Sequence, residues 1–227
     1  MSDPFLSVII PTLNEEKNIL RVIDQVQSVR GVEIIVADGG SVDLTLKLIG
    51  ELRGIRVFNC PPQRARQLNL GARHAQGEYL LFLHADTLLP LDYTHEIQKI
   101  LAQPGTVAGA FGFKSDLQGW GMILIEKLVA FRSRILKMPY GDQGIFMKKA
   151  VFEELGGFPE ISVMEDFQMV LNLKKIGRIS ISKAFAVTSG RKWEEDGLIR
   201  VTIRNQRIIL AYLRGVPAEK IKARFGK

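Results

Sequence analysis

Short apolar runs alternate with segments of helical periodicity along the first half of the chain. Residues 5–10 (FLSVII) form a β-branched apolar run, which predicts a strand. Residues 14–29 then repeat apolar side chains every three or four positions, which predicts an amphipathic helix. Three more apolar runs follow at residues 32–37, 55–60 and 78–84. The first half therefore predicts four strands.

Helical segments separate these predicted strands. Ser41 is positioned to cap a helix through about Leu52, and Pro62 to open a helix through about Ala75. Strands joined by helices form βαβ units and a parallel sheet, and strands this uniformly apolar imply helices on both faces. The pattern predicts an α/β fold class with a mostly parallel central sheet flanked by helices.

The second half continues with less regular spacing. We predict helices at about 91–103, 120–138, 164–176 and 196–214, and strands at about 106–113, 144–149 and 178–187. No internal repeat or Gly/Ser linker divides residues 1–227, so we expect a single domain.

Composition and charge narrow the class of protein. The 227 residues contain one cysteine, Cys60, which excludes an internal disulfide framework and favours a reducing compartment. Met1 to Pro4 lack the basic region of a signal peptide, and no apolar run is long enough to span a bilayer, so we expect a cytoplasmic protein. The net charge is +7, and residues 190–227 hold ten Lys or Arg residues against four acids. This basic tail suits phosphates, nucleic acid or an anionic membrane surface.

Polar side chains follow each of the first four predicted strands. The first strand is followed by PTLNEE, the second by Asp38, the third by PPQRARQ, and the fourth by His84 and Asp86. Ligands of open parallel sheets bind beyond the carboxyl ends of the strands, so these groups are candidates for one site. Each also has a structural alternative: Asn14 as a helix cap, Asp38 in an Asx turn, and the arginines near residue 66 as a solvated helix face.

Five segments follow one another along the chain: SVIIPTLNEEKNI, EIIVADGGSVDLT, RARQLNLGARHAQGEYLLFLHADTLLP, GDQGIFMKKAVFEELGGFPE and MEDFQMVLNLKKIG. In this order and at this spacing they resemble the family 2 glycosyltransferases, which have the GT-A (Rossmann-like) fold. The resemblance extends from Ser7 to about Gly177. It implies a nucleotide-sugar-binding half at about residues 5–113 and an acceptor half with C-terminal helices at about 114–227.

The resemblance implies which residues bind the donor, a nucleoside diphosphate sugar that is UDP- or GDP-linked. The matching positions are Pro11, Thr12, Asn14, Glu15, Asp38, Arg66, His84, Asp86 and Arg191. Among them, Asp38 is expected to bind the base, and Asp86 matches the final acid of the DxD element that holds Mn²⁺ or Mg²⁺. His84 stands where that element has its first acid, so a ribose contact, metal ligation or simple packing all remain open for the imidazole.

The acceptor side is implied by the acidic pair Glu165 and Asp166. By family position Asp166 is the catalytic base of an inverting transfer and Glu165 an acceptor contact, although acids also stabilise a first helical turn. Asp142 and Gln143 are candidate acceptor contacts, and Arg191 can neutralise the leaving diphosphate. The acceptor itself, whether lipid, glycan or small molecule, is left open.

The sequence leaves two other classes of protein as alternatives. A sugar-phosphate nucleotidyltransferase needs a basic, glycine-rich loop after the first strand, where this chain has PTLNEE. A non-catalytic module that binds nucleotides or anionic surfaces is the other alternative, but we expect no nucleic-acid partner because no strand interleaves aromatic and basic residues. The basic helix at 196–214, beside the helix at 120–138, is either a solvated face or a surface that lies on the inner face of an anionic membrane.

Overall fold

Eight strands form one sheet in the computed structural model, which describes residues 4–225 of the chain. In chain order they are β1 (Leu6–Thr12), β2 (Val32–Asp38), β3 (Ile55–Asn59), β4 (Tyr79–Phe82), β5 (Thr87–Leu88), β6 (Thr106–Ser115), β7 (Ile145–Lys148) and β8 (Arg178–Thr188). Their spatial order is β3-β2-β1-β4-β7-β6-β8-β5. The first four strands are mutually parallel, as are β6 and β8, whereas β7 and β5 run antiparallel to their neighbours.

Helices connect and cover these strands. They are α1 (Ile19–Gln27), α2 (Thr45–Gly50), α3 (Arg64–His74), α4 (Tyr93–Leu101), α5 (Trp120–Arg134), α6 (Lys149–Glu154), α7 (Glu165–Ile176), α8 (Arg191–Asp196), α9 (Leu198–Leu213) and α10 (Ala218–Phe225), with a 3₁₀ turn at Gly141–Gln143. Within residues 4–225, no helix has the length and apolar character needed to cross a bilayer. The predicted lack of a signal peptide concerns residues 1–4, of which the first three lie outside the described range.

The sheet separates two apolar layers, as the continuous apolar strands predicted. In β1, Val8 and Ile10 pack with α1 on one face, while Ile9 packs with α3 on the other. Successive side chains of a strand point to opposite faces, so an uninterrupted apolar run requires a cover on both. The predicted α/β class is therefore confirmed.

Local boundaries differ from the sequence prediction at several places. The prediction that Ser41 caps a helix is wrong, because α2 begins at Thr45 and the Ser41 hydroxyl instead donates to Asp38 Oδ1 at 2.5 Å. Helix α3 begins at Arg64, two residues after Pro62. Strand β5 and helices α6, α8 and α10 were not predicted, because each is too short to show a clear hydrophobic period.

Candidate active site

The carboxyl ends of the first parallel strands meet at one edge of the sheet. Thr12 at the end of β1 pairs in register with Asp38 at the end of β2. The buried amide of Gln67 in α3 joins the two strands, since its Nε2 donates to Thr12 O and Ala37 O, each at 2.8 Å. Sequence reasoning missed Gln67, although a glutamine on the inner face of a helix signals a buried hydrogen-bond partner.

Asp38 organises the loop that follows β2. Its fully buried carboxylate accepts hydrogen bonds from Gly40 N at 2.7 Å, Ser41 N at 2.8 Å and Thr12 Oγ1 at 3.1 Å. Gly40 adopts a φ of +92°, a conformation that favours glycine. Both Asp38 oxygens thus accept hydrogen bonds from the protein, and these bonds hold the loop after β2 against the end of β1.

A second loop, between β1 and α1, is tied to the first by reciprocal hydrogen bonds. The Asn14 backbone N–H donates to Ser41 Oγ, and Val42 N–H donates to Asn14 Oδ1, each at 2.9 Å. The Asn14 side chain and Leu13 are exposed, whereas Pro11 and Glu15 are half-buried. Asn14, which the sequence placed as a possible helix cap, instead links the two loops.

Glu15 and Asp86 belong to the same electrostatic neighbourhood. Burial raises the pKa of Glu15, and the negative charge of Asp86 raises it further, while a hydrogen bond from Asn18 and the charge of Arg191 oppose the shift. Burial likewise raises the pKa of Asp86, against a hydrogen bond from the Thr87 hydroxyl and the positive charge of Arg64 and Arg191. The fold therefore brings Glu15, Asp86 and Arg191 together, from three distant parts of the chain.

The antiparallel strand β7 brings a second group of residues to the same edge. Phe82 at the end of β4 pairs with Ile145 at the start of β7. His84, two residues after β4, lies beside the 3₁₀ turn at Gly141–Gln143. This 3₁₀ turn also contacts α7, because Gly141 N donates to Asp166 Oδ2 at 2.8 Å.

Gly141 lies between His84 and Asp166. A Cβ built on Gly141 would be 2.8 Å from His84 Nε2 and 3.4 Å from Asp166 Oδ2. The missing side chain therefore lets the imidazole and the carboxylate approach the same point. Burial lowers the pKa of His84 to about 3, with Arg64 and Lys192 acting in the same direction, so the imidazole is neutral at neutral pH.

Asp166 is held in a defined orientation at the start of α7. Its Oδ1 accepts from Phe167 N at 2.7 Å, while Oδ2 accepts from Gly141 N. Asp166 is at the wall of a small cavity, whose lining residues are Arg64, Leu68, Phe82, His84, Gly141, Ile145, Phe158 and Asp166. The neighbouring Glu165 is buried and lies 3.8 Å from Arg64; burial and the charge of Asp166 raise the pKa of Glu165.

Asp142 carries an unsatisfied oxygen. Within residues 4–225, Asp142 Oδ1 and Ser162 Oγ are the buried side-chain polar atoms without a hydrogen-bond partner. Burial raises the pKa of Asp142 to about 6, with Asp166 and Asp86 adding to the shift and Arg132 opposing it. A buried carboxylate oxygen without a partner is costly unless a ligand completes it.

Gln143 and Arg132 hold the 3₁₀ turn in place. The Gln143 amide is fully buried; its Nε2 donates to Phe111 O at 2.9 Å, and its Oε1 accepts from Arg132 Nη2 at 3.1 Å. The Arg132 guanidinium also lies 3.4 Å above the centre of the Tyr140 ring. Gln143, which the resemblance implied as an acceptor contact, is thus engaged on both sides of its amide by the protein.

Of the two arginines that the sequence suggested for the donor site, Arg191 lies near the acids. Arg66 is exposed and pairs with Glu160 at 3.0 Å. Arg64, the first residue of α3, is the arginine of this helix that lies near the acids. Its positive charge lowers the pKa of Asp86, Asp142 and Glu165, against the rise that burial causes. The helix follows β3 in a βαβ unit, so its first residue lies at the carboxyl edge of the sheet, and that position is the signal that could have identified Arg64.

The carboxylate oxygens at this edge fit a hard divalent cation that is bound together with a phosphate-bearing ligand. Within residues 4–225, no three His, Cys, Asp or Glu side chains are grouped to hold a metal ion. Mg²⁺ sites, however, often use one or two carboxylates and complete the shell with waters and substrate phosphates. Asp86 and Asp142, with its unsatisfied oxygen, are two such carboxylates, and the negative charge of Asp86 helps to raise the pKa of Asp142.

Known proteins resemble this chain in both sequence and fold. A family model described as Glycosyl transferase family 2 matches residues 7–155. A protein of Haemophilus influenzae described as an uncharacterized glycosyltransferase is 29% identical over 198 residues, which is 80% of this chain and 76% of the relative.

Two solved structures show the same architecture. The mannosyltransferase PcManGT from Pyrobaculum calidifontis, in complex with GDP-Man and Mn²⁺, has a TM-score of 0.66 at 23% identity and covers 82% of this chain. S. aureus TarS 1-349, in complex with UDP-GlcNAc, has a TM-score of 0.64 at 19% identity and covers 81% of this chain. The matches span 57% and 58% of those two chains. This likeness shows that the fold is the GT-A fold of glycosyltransferases.

Proposed function

The chain belongs to the family 2 glycosyltransferases, and on that premise we propose that it transfers a sugar from a nucleoside diphosphate sugar to an acceptor hydroxyl with inversion at the anomeric carbon. The observation that carries the proposal is the Asp166 carboxylate, which two backbone N–H groups orient at the wall of a cavity. An inverting transfer needs one positioned carboxylate to take the acceptor proton.

The donor nucleoside lies against the two interlocked loops after β1 and β2. The exposed Asn14 and half-buried Pro11 are available to a ligand, while Thr12 and Asp38 are buried beneath them. Asp38 then contributes to base binding by ordering the loop, because its oxygens already accept from Gly40, Ser41 and Thr12. The complexes of the two solved relatives with GDP-Man and UDP-GlcNAc support a nucleoside diphosphate sugar as donor.

The diphosphate lies at the edge formed by Asp86, Asp142 and the nearby cations. Asp86 and Asp142 would hold Mn²⁺ or Mg²⁺, which, when bound, stabilises the negative charge that develops on the leaving diphosphate. Arg64 and Arg191 lie close enough to Asp86 to affect its pKa, so they are positioned to attract the same phosphates. The Mn²⁺ in the PcManGT complex supports a divalent metal in this type of site.

The transfer itself requires one proton and one bond exchange. Asp166 accepts the proton of the acceptor hydroxyl as that oxygen forms a bond to the anomeric carbon, and the bond from that carbon to the diphosphate breaks on the opposite side. The hydrogen bonds from Gly141 and Phe167 leave lone pairs on Asp166 for that proton. The neutral His84 imidazole, beside the same point, can donate a hydrogen bond to a substrate hydroxyl without adding charge.

A calorimetric comparison of two variants tests the proposal. UDP- and GDP-sugars would first be screened for binding in the presence of Mn²⁺ or Mg²⁺, and transfer would be followed as release of the nucleoside diphosphate. We expect Asp86→Ala to lose metal-dependent donor binding. Asp166→Asn should keep donor affinity within about threefold but lose transfer by at least about a hundredfold.

The conservative exposed substitution Asp92→Asn is the matched control and should keep both properties. Transfer by Asp166→Asn at the unmodified rate would remove Asp166 as the base. Unchanged donor affinity of Asp86→Ala, with and without metal, would remove Asp86 as the metal anchor.

A further inference from the structure

Helix α5 exposes a continuous row of large apolar side chains. We define the α5 face as Trp120, Leu124, Leu128, Phe131 and Ile135, whose exposed fractions are 89, 59, 56, 57 and 65%. Each is three or four residues from the next, so all five lie along one side of the helix. An exposed apolar stripe of this length is unusual on a protein surface and marks an interaction site.

The opposite side of α5 is the side that attaches the helix to the protein. Met122 and Ser133 are buried there, and Glu126 Oε1 accepts from Ser115 N at 3.0 Å at the end of β6. Glu126 is the single acid in α5, and this bond directs it towards the sheet. The outward side of α5 therefore carries no acidic residue, within a helix that the structure describes in full.

Basic residues border the α5 face. Lys127 and Arg134 are exposed along one edge of the stripe, and Lys137 is exposed just beyond its end. An apolar stripe bordered by lysine and arginine, without acids, is the pattern of a helix that lies in the interface of an anionic bilayer. A tryptophan at the end of such a stripe suits the same environment, because its amphipathic ring prefers the headgroup level.

The start of helix α9 contacts the start of α5 and also exposes apolar and basic side chains. A Cβ on Gly121, near the start of α5, would be 3.0 Å from Leu198 at the start of α9, so the two helices meet there. In α9, Ile199 and Ile203 are exposed, as are Arg200 and Arg207. No Asp or Glu occurs between residues 198 and 213, all of which the structure describes.

From this arrangement we propose that the protein docks on a bilayer containing anionic phospholipid through the α5 face and the adjoining start of α9. A second copy of the chain is the other occupant to consider. Pairing two α5 faces would bring Lys127, Arg134 and Lys137 of both copies together without an acid on either face, whereas an anionic leaflet complements all of them.

The docking surface is connected to the acceptor side of the site by Arg132. The Arg132 guanidinium donates to Gln143 Oε1, in the turn next to Asp166, and lies over the ring of Tyr140, which precedes that turn. On the proposed function, an acceptor carried by the bilayer would approach Asp166 from the docked side. The acceptor class that fits is therefore a lipid-linked hydroxyl at the membrane surface.

Co-sedimentation with vesicles tests the docking. The full chain, without donor or metal, would be mixed with vesicles of phosphatidylcholine alone or of phosphatidylcholine with phosphatidylglycerol. We expect binding to the anionic vesicles and little to the neutral ones, with added salt weakening it. Phe131→Ser should lower the partition coefficient about tenfold or more, and Lys127→Gln or Lys137→Gln about fivefold each.

Leu91→Ser is the matched control, because Leu91 is 92% exposed but lies before α4 and outside the α5 face. It should leave binding unchanged. A Trp193→Phe variant leaves Trp120 as the sole tryptophan, and its fluorescence should be quenched by brominated lipid in the anionic vesicles. Both readouts are independent of turnover, so donor calorimetry on the same variants separates failure of docking from failure of the proposed function.

Three results would overturn the docking proposal. One is equal binding to neutral and anionic vesicles. Another is an equal loss of binding in Leu91→Ser and Phe131→Ser. The third is concentration-dependent dimerisation, abolished by Phe131→Ser in sedimentation velocity, without vesicle binding; this result would assign the α5 face to a second copy.

Discussion

Replacing Gly141 by alanine tests whether the His84–Asp166 arrangement sets the rate of transfer. The added Cβ would be 2.8 Å from His84 Nε2, about 0.6 Å closer than an ordinary contact, and 3.4 Å from Asp166 Oδ2. The φ of Gly141 lies outside the left-handed region, so alanine meets a packing conflict but no backbone strain. Overpacking of this kind costs about 1–3 kcal/mol, which corresponds to a fall in Tm of roughly 2–12 °C for a chain of this size.

The catalytic effect should exceed the effect on stability. Since the 2.8 Å hydrogen bond from Gly141 N orients Asp166, a shift of the turn by a few tenths of an ångström misplaces the base. We expect release of the nucleoside diphosphate to slow by about 10- to 100-fold, with donor affinity unchanged within about threefold. Gly50→Ala is the control, because Gly50 ends α2 in open space, and alanine there should be neutral or slightly stabilising.

A second background identifies the group with which the new methyl collides. In His84→Ala the space beside residue 141 is larger, so adding Gly141→Ala should slow the reaction much less than it does in the unmodified protein. An equal loss in both backgrounds would show that His84 is not the conflicting group. A Gly141→Ala variant with full activity would refute the argument that this glycine sets the approach to Asp166.

Three further predictions concern the parts of the site that tertiary contacts build. Asp38→Asn places an NH₂ group against the backbone N–H groups that converge on Asp38. We expect the free energy of unfolding in urea to fall by about 2–3 kcal/mol and the sugar nucleotide to bind more weakly; an unchanged midpoint would contradict the loop-ordering role. Gln67→Met removes the donor shared by two buried carbonyls and should cost about 2 kcal/mol by the same assay, whereas a neutral result would mean that water replaces the amide. Arg64→Ala should weaken donor binding about tenfold, while Arg66→Ala, which breaks an exposed pair, should leave it nearly unchanged; equal losses in calorimetry would contradict the assignment.

Much of the architecture could be predicted from local sequence. The apolar runs at β1, β2 and β3 and the spacing of Ile19, Val22, Ile23 and Val26 identify their elements within a few residues. This succeeds because burial on a strand or a helix face repeats with a short period that neighbouring residues record. The position of acids after consecutive strands also followed, since parallel strands deliver their carboxyl ends to the same edge.

The roles of individual site residues depend on contacts between distant parts of the chain. The base contact of Asp38 stays a prediction; the fold adds that its oxygens accept hydrogen bonds from the Gly40 and Ser41 backbone and the Thr12 hydroxyl. The acceptor contact of Gln143 also stays a prediction, and the fold adds that its amide bonds to Arg132 and to the Phe111 carbonyl. Hydrogen-bond satisfaction of this kind is decided by three-dimensional proximity, which a sequence motif does not record.

The sequence by itself determined the α/β class, the positions of the main strands and helices, and the presence of acids at one rim. Only the tertiary structure decided that β7 inserts antiparallel between β4 and β6, and this insertion brings the Gly141 turn beside His84 and Asp166. Secondary structure follows from the local pattern of apolar side chains, whereas strand order follows from how all the apolar faces are buried at once. For that reason the sequence indicated His84 only as a departure from a motif, and the fold gave it its neighbours.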